Sequence, residues 1–201
     1  MDGNGCVDSC VELLQMANVL TVRGNHDRWV LENKARHVPY AHHLEALSDS
    51  VIHYLTSLPV QLDFETALGR LLLCHGVAQH DLHKIWPGTA RKSAERSQHL
   101  DTMISEGRFQ LMINGHMHYR TLIHFHRLTL LNAGTIRGEY HPGFSVLDFD
   151  SRSVAAYEIH SAPRGCIERV KTLSLMPSPR TRVFNDTGCF DDQWDPVTLY
   201  A

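Results

Sequence analysis

The sequence predicts an α/β fold whose strands end in polar, glycine-containing turns at one edge of a sheet. Three observations carry that expectation. Short apolar runs at 19–22, 70–74 and 109–113 are each followed at once by a histidine or asparagine beside a glycine. Segments with helical spacing separate these runs. Two pairs of strand-like runs, 121–125 with 128–131 and 144–149 with 154–159, then read as hairpins.

The elements are justified in order. After the turn-like Asp2-Gly3-Asn4-Gly5, a helix is expected from about Asp8, with Asp8 or Ser9 as its cap and Val11, Leu14 and Met16 on its apolar side. Val19-Leu20-Thr21-Val22 reads as a buried strand. Gly24 then lets the backbone turn sharply. Residues 28–58 read as mainly helical, with Leu44, Leu47, Val51, Ile52, Leu55 and Leu58 at helical spacing before Pro59 closes the segment. Residues 61–64 suit a short strand and 65–69 a turn. Residues 77–90, with His80, His83, Trp86 and Pro87, read as a long irregular loop of the kind that often carries function. A polar helix over 89–106 follows. From Ser161 onward, Pro163, Pro177, Pro179 and Pro196 interrupt any long element, so the tail is expected to be irregular. The expected organisation is one domain over 1–160 with an irregular extension over 161–201.

Composition bounds the function. The chain has 201 residues, 43% of them apolar and 20% charged, as in a globular protein with a substantial core. A formal net charge of -3 gives no basic footprint, which argues against nucleic acid as a bulk partner. No window is long and apolar enough to span a membrane, and residues 1–15 carry no basic residue of a signal peptide. Five scattered cysteines without a CxxC pair favour a reducing, cytoplasmic setting. Fifteen histidines against nineteen Lys plus Arg is the unusual number, and the question is which of them converge.

Candidate chemistry sits at the strand ends: Gly24-Asn25-His26-Asp27, His75-Gly76 and Gly115-His116-Met117-His118. Strands that point the same way gather such ends along one edge, where open α/β sheets place their ligands. Asn25 offers a neutral oxygen to a metal, and His26 can exchange a proton near neutral pH. His116 and His118, spaced i, i+2, would leave one face of an extended backbone together. One buried histidine is usually a satisfied core residue, and Gly-Asn alone is ordinary turn chemistry. The ordered set of three strand ends is what favours a metal site.

This three-part series resembles the calcineurin-like metallophosphoesterases, most of all the small bacterial and archaeal phosphodiesterase branch. Asn132-Ala133-Gly134-Thr135 and Phe144-Ser145-Val146-Leu147-Asp148 are similar to that branch's closing hairpins, so the likeness covers 1 to about 160. The resemblance implies a two-sheet β-sandwich flanked by helices, an αββα arrangement. It implies metal-dependent hydrolysis of phosphate esters, most of all phosphodiesters, through a dinuclear centre whose ions share a carboxylate and a hydroxide. Asn25, His75 and His116 match ligands of one ion, and His118 matches a ligand of the other. His26 matches the histidine that contacts the phosphate and protonates the leaving oxygen. Asp2 and Asp27 are alternative carboxylates for orienting it. The mixed shell suits Mn, Fe or Zn better than Mg or Ca. The implied partner is a phosphoester small molecule or a nucleotide.

The family pattern opens with Asp-x-His on a first strand and Gly-Asp on a second, and neither element stands here. The expectation is therefore a fold lacking the first strand and most of the second. Without the bridging aspartate, one ion rather than two is expected at Asn25, His75 and His116, with impaired turnover. An opened sheet edge invites a partner strand or a homo-oligomer. The alternative reading is a non-catalytic protein-interaction scaffold on the same fold. Retention of His26, for which a scaffold has no use, favours the enzyme. Trp86 and His83 are candidates for contacting a leaving group, and Arg137 for shaping the pocket.

Overall fold

The computed structural model describes residues 6–35, 37–38, 40–85, 97–125, 127–137, 141–160, 165–176 and, for its backbone, 182–185. The chain divides into two compact units, Met1–Leu62 and Asp63–Ala201.

The first unit is helical. Helix α1 (Val7–Met16) begins where expected, but Val11 is its one buried residue, while Leu13 and Met16 are exposed. Helix α2 (Asn25–Leu31) starts immediately after Gly24. A 3-10 turn at Leu44–Ala46 precedes helix α3 (Asp49–Ser57), whose cap Ser48 accepts a hydrogen bond from the Val51 N–H. Val11, Val30, Leu47, Val51 and Leu55 form this unit's core. Helical spacing placed α3 well, but residues 32–43 are irregular, so the expectation of a mainly helical 28–58 is too generous.

Residues 19–22 do not form a strand. A strand needs a hydrogen-bonding neighbour as well as apolar side chains, and none pairs with this run among the described residues. Val19 and Leu20 stay 47% and 64% exposed. The run is tied down at its end, where the Arg23 N–H bonds to the Pro59 carbonyl at 2.8 Å.

The second unit is a sandwich. Its larger sheet comprises β1 (Gln61–Thr66), β2 (Gly69–Cys74), β3 (Leu111–Asn114), β4 (Arg120–His124), β5 (Thr129–Ala133) and, from the far end of the chain, β9 (Arg182–Asn185), in the order β1-β2-β3-β5-β4-β9. Its smaller sheet is the antiparallel β6 (Gly143–Asp148), β7 (Ser153–His160) and β8 (Cys166–Ser174). Helix α4 (Gln98–Glu106) precedes β3.

Period-two alternation sorts the larger sheet's side chains into two layers. Leu71, Leu111, Leu122 and Leu131 pack with Val154 and Leu175, and with partly buried Leu147 and Leu173, which puts a core between the sheets. Leu72, Cys74, Met112, Ile123 and Leu130 pack on the other face with Leu100 and Met103 of α4. Leu100, Met103 and Ile104 lie at i, i+3 and i+4, the stripe that a helix needs to cover a sheet. This is the two-sheet β-sandwich with flanking helices that the resemblance implies. No described helix is long and apolar enough to cross a membrane.

The tail corrects an expectation. Residues beyond 161 supply β8, paired with β7 along its length, and β9, paired with β4. Most of β8 is exposed, so backbone pairing rather than burial holds it, and it leaves little apolar pattern to read. Pro163 and Pro177 lie outside the described residues.

Candidate metal centre

In the second unit, β2 pairs with β3 and β3 with β5, all parallel, so three carboxyl ends meet along one edge. His75-Gly76 follows β2, Gly115-His116 follows β3, and Ala133-Gly134 ends β5. The strand order explains the loop between β3 and β4. Because β5 lies between those strands, residues 115–119 must step over the end of β5. The span is two inter-strand spacings, roughly 9.5 Å.

That crossing sets the backbone. The Met117 N–H bonds to the Gly115 carbonyl at 2.8 Å, closing a γ-turn around His116, whose φ is 68°. His118 is also left-handed, with φ 64°. The loop is therefore not the extended i, i+2 pair that the spacing predicts; each left-handed residue costs about 1–2 kcal/mol. Non-glycine strain of this kind collects at functional sites, where surrounding structure over-determines it. Here the restraint is visible. Asn132 Nδ2 donates to the Gly115 carbonyl, and Asn132 Oδ1 accepts from the Gly134 N–H at 3.1 Å. The Gly115 N–H donates to the His75 carbonyl at 3.0 Å.

The same bonds set His75 beside His116, with ring centroids 5.2 Å apart and the planes edge-on at 70°. Both are half-buried. Burial first, then the neighbouring His75, Lys84 and His118, pushes the His116 imidazole down to about 4, against a smaller opposing pull from Asp81. His116 thus keeps a lone pair free of its proton at neutral pH, the state a metal requires. Asn114, buried between the strands, donates from Nδ2 to the Gly76 carbonyl at 2.9 Å. Cys74 is not a reactive thiol: burial raises it to about 12.

Gly76 is required for a reason that the sequence does not display. A Cβ there would lie 2.2 Å from the His80 carbonyl oxygen and 3.0 Å from that of His83. The following loop folds back over it, with reciprocal Val77–His80 backbone bonds of 3.0 and 2.9 Å.

In the first unit, Asn25 opens α2 and is only 2% exposed, and His26 follows, its ring 5.0 Å from that of Trp29. Asp27 accepts from the Gly24 N–H at 2.8 Å, so its carboxylate caps the helix. Gly24 has φ -89°, open to any residue, and the sharp turn expected there is an ordinary helix start. Asp2 and Trp86 lie outside the described residues, as does the expected helix from 89 to 96.

The tightest ligand group is one that sequence reasoning missed. Among the described residues, His80, His83 and His99 bring one ring nitrogen each within 4.8 Å of the others. His80 and His83 stand out as a loop pair three apart, but nothing in the sequence announces that His99, on α4, joins them.

Comparisons with known proteins agree with the fold. The calcineurin-like phosphoesterase superfamily domain matches residues 2–153, and the chain belongs to that family. Among solved structures, hypothetical protein PH1004 of Pyrococcus horikoshii aligns with a TM-score of 0.58 at 13% identity, covering 75% of this chain and 67% of that one. Wild-type Vps29 of Entamoeba histolytica, in a structure complexed with zinc, aligns at 15% identity with a TM-score of 0.39, covering 60% of this chain and 63% of that one. A Streptococcus pneumoniae protein described as a predicted phosphoesterase aligns at 16% identity with a TM-score of 0.36, covering 73% and 92%. No protein of curated function matches. A phosphoesterase, and hence a hydrolase, is the function that the family supports.

Proposed function

We propose that this chain's family chemistry is metal-dependent hydrolysis of phosphodiesters, with His75, His116 and His118 as metal ligands. The observation that carries the reading is the strained loop carrying His116 and His118, which sets His116 beside His75 at the end of β2. Family resemblance adds Asn25 as a further ligand and His26 as the group that protonates the leaving oxygen. The donor set fits a divalent cation of the Mn, Fe or Zn kind: neutral imidazoles, one held proton-free well below neutral pH, and a carboxamide. A pair of such ions, when bound, would acidify a shared water and clamp the phosphoryl oxygens.

The chain's own residues would do the rest. His75 is held in place at the end of β2, because its carbonyl accepts from the Gly115 N–H at 3.0 Å. An imidazole at His26 is the kind of side chain that can hand a proton to a departing alkoxide. A small phosphoester or a nucleotide suits such a centre.

The test is hydrolysis of bis(p-nitrophenyl) phosphate and p-nitrophenyl phosphate by the full chain with added Mn²⁺. Turnover that favours the diester, stops with chelator and disappears in His116→Ala supports the proposal. A chain that neither binds the ion nor hydrolyses either ester overturns it in favour of the interaction scaffold.

A further inference from the structure

Beyond that centre, and independently of it, we propose that His80, His83 and His99 form a second, mononuclear site for a borderline divalent cation such as Zn²⁺. It would staple the loop after β2 to the first turn of α4. Three observations converge on it. The ligand nitrogens already lie within 4.8 Å of one another. A tetrahedral ion with Zn–N bonds of 2.0–2.1 Å needs them roughly 3.4 Å apart, so the stacked rings must turn until their in-plane lone pairs converge on the ion. The rings are also gathered with no protein group between them: His80 stacks on His99 at 3.8 Å and on His83 at 4.7 Å, and His83 lies 5.2 Å from His99. Finally, Nδ1 of His83 is buried with no hydrogen-bond partner. Buried ring nitrogens are normally satisfied, and a bound cation would accept the lone pair of that nitrogen.

The local backbone builds the site without strain at the ligands. The Val77–His80 pairing reverses the chain, and the His83 N–H then bonds to the His80 carbonyl at 3.3 Å, a turn that sets the two rings on one side. His99 comes from the first turn of α4, which Ser97 caps by accepting from the Leu100 N–H at 3.2 Å. Three neutral imidazoles without a carboxylate select Zn²⁺, Co²⁺ or Ni²⁺ over Mg²⁺ and Ca²⁺. His80 and His99 are exposed, so a fourth position is open to water. Because the His80 and His83 carbonyls pack on Gly76, the bound ion would also stiffen the backbone next to His75.

The experiment uses the full chain, metal-stripped, with Zn²⁺ and Co²⁺ as probes in equilibrium dialysis, absorption spectroscopy and thermal melting. The intact chain should bind one equivalent here beyond any held at the first centre, and His116→Ala should keep that one, with a tetrahedral Co²⁺ spectrum and a rise in Tm on adding Zn²⁺. His80→Gln and His99→Gln should each weaken that equivalent more than tenfold, since even outer-shell partners cost about 10–100-fold. Both positions are exposed, and circular dichroism of each metal-free variant should match that of the parent. Unchanged stoichiometry and affinity in the double variant would overturn the proposal. Loss of the equivalent in His116→Ala alone would assign the metal to the other centre. A phosphodiesterase assay that fails leaves this binding result intact.

Discussion

Two histidine groups lie within a few residues of each other and are built in opposite ways. His75, His116 and His118 sit on strand ends, carry the family motif, and include two left-handed residues. His80, His83 and His99 sit on a loop and a helix, belong to no motif, have no left-handed backbone of their own, and bring their ring nitrogens within 4.8 Å of one another. The motif group is held by its backbone, with the His75 and His116 ring centroids 5.2 Å apart. The other group is held by its rings. Strain and ligand readiness are therefore separate signals, and a metal site can display either without the other.

The largest expected effect breaks the comparison on one side. His116→Ala should reduce Mn²⁺-dependent diester turnover at least about 100-fold, since even outer-shell partners of a metal cost up to that much. Steady-state assay of the same sample that keeps its Zn²⁺ equivalent at His80, His83 and His99 separates the two groups. Gly76→Ala should damage both, because its Cβ meets the His80 carbonyl at 2.2 Å. Overpacking of that kind costs about 1–3 kcal/mol, readable as a lower urea midpoint at unchanged slope. If Gly76→Ala is as stable as the parent, the folded-back loop is wrong.

Asn132→Ala sharpens the contrast. It removes the bonds to the Gly115 carbonyl and the Gly134 N–H, leaving buried groups unmade at about 1–3 kcal/mol. It should lower stability and Mn²⁺ affinity while Zn²⁺ binding at the other group is untouched. The smallest effect is in pH. Metal-free His116 lies near 4 when folded against an ordinary 6.5, so the unfolded chain binds the extra proton first. Its contribution is fully present above about 6.5, falls as pH drops toward 4, and changes no further below that. An NMR titration placing the His116 ring near 6.5 would remove this term.

Much of this was legible in the sequence, for physical reasons. Runs 70–74 and 109–113 are strands because both of their faces are buried, which leaves continuous apolar sequence. The hairpins β4–β5 and β6–β7 are local and announce themselves by their turns. The strand-end histidines follow from that register. What failed depends on partners distant in the chain. Residues 19–22 have strand composition but no partner strand among the described residues, and β8 and β9 take their places by pairing with β7 and β4. His99 meets His80 only through the placing of α4 on the sheet. The γ-turn at His116 follows from strand order, which no local pattern encodes.

The left-handed backbone at His116 and His118 has a consequence for how such a chain can drift. Glycine takes that conformation without a steric penalty, so a change to glycine at either position would relax the loop. Selection for a robust fold alone would favour that exchange. The loop's two imidazoles stand where the fold's own preference opposes them, a trade of stability against chemistry written into two backbone angles.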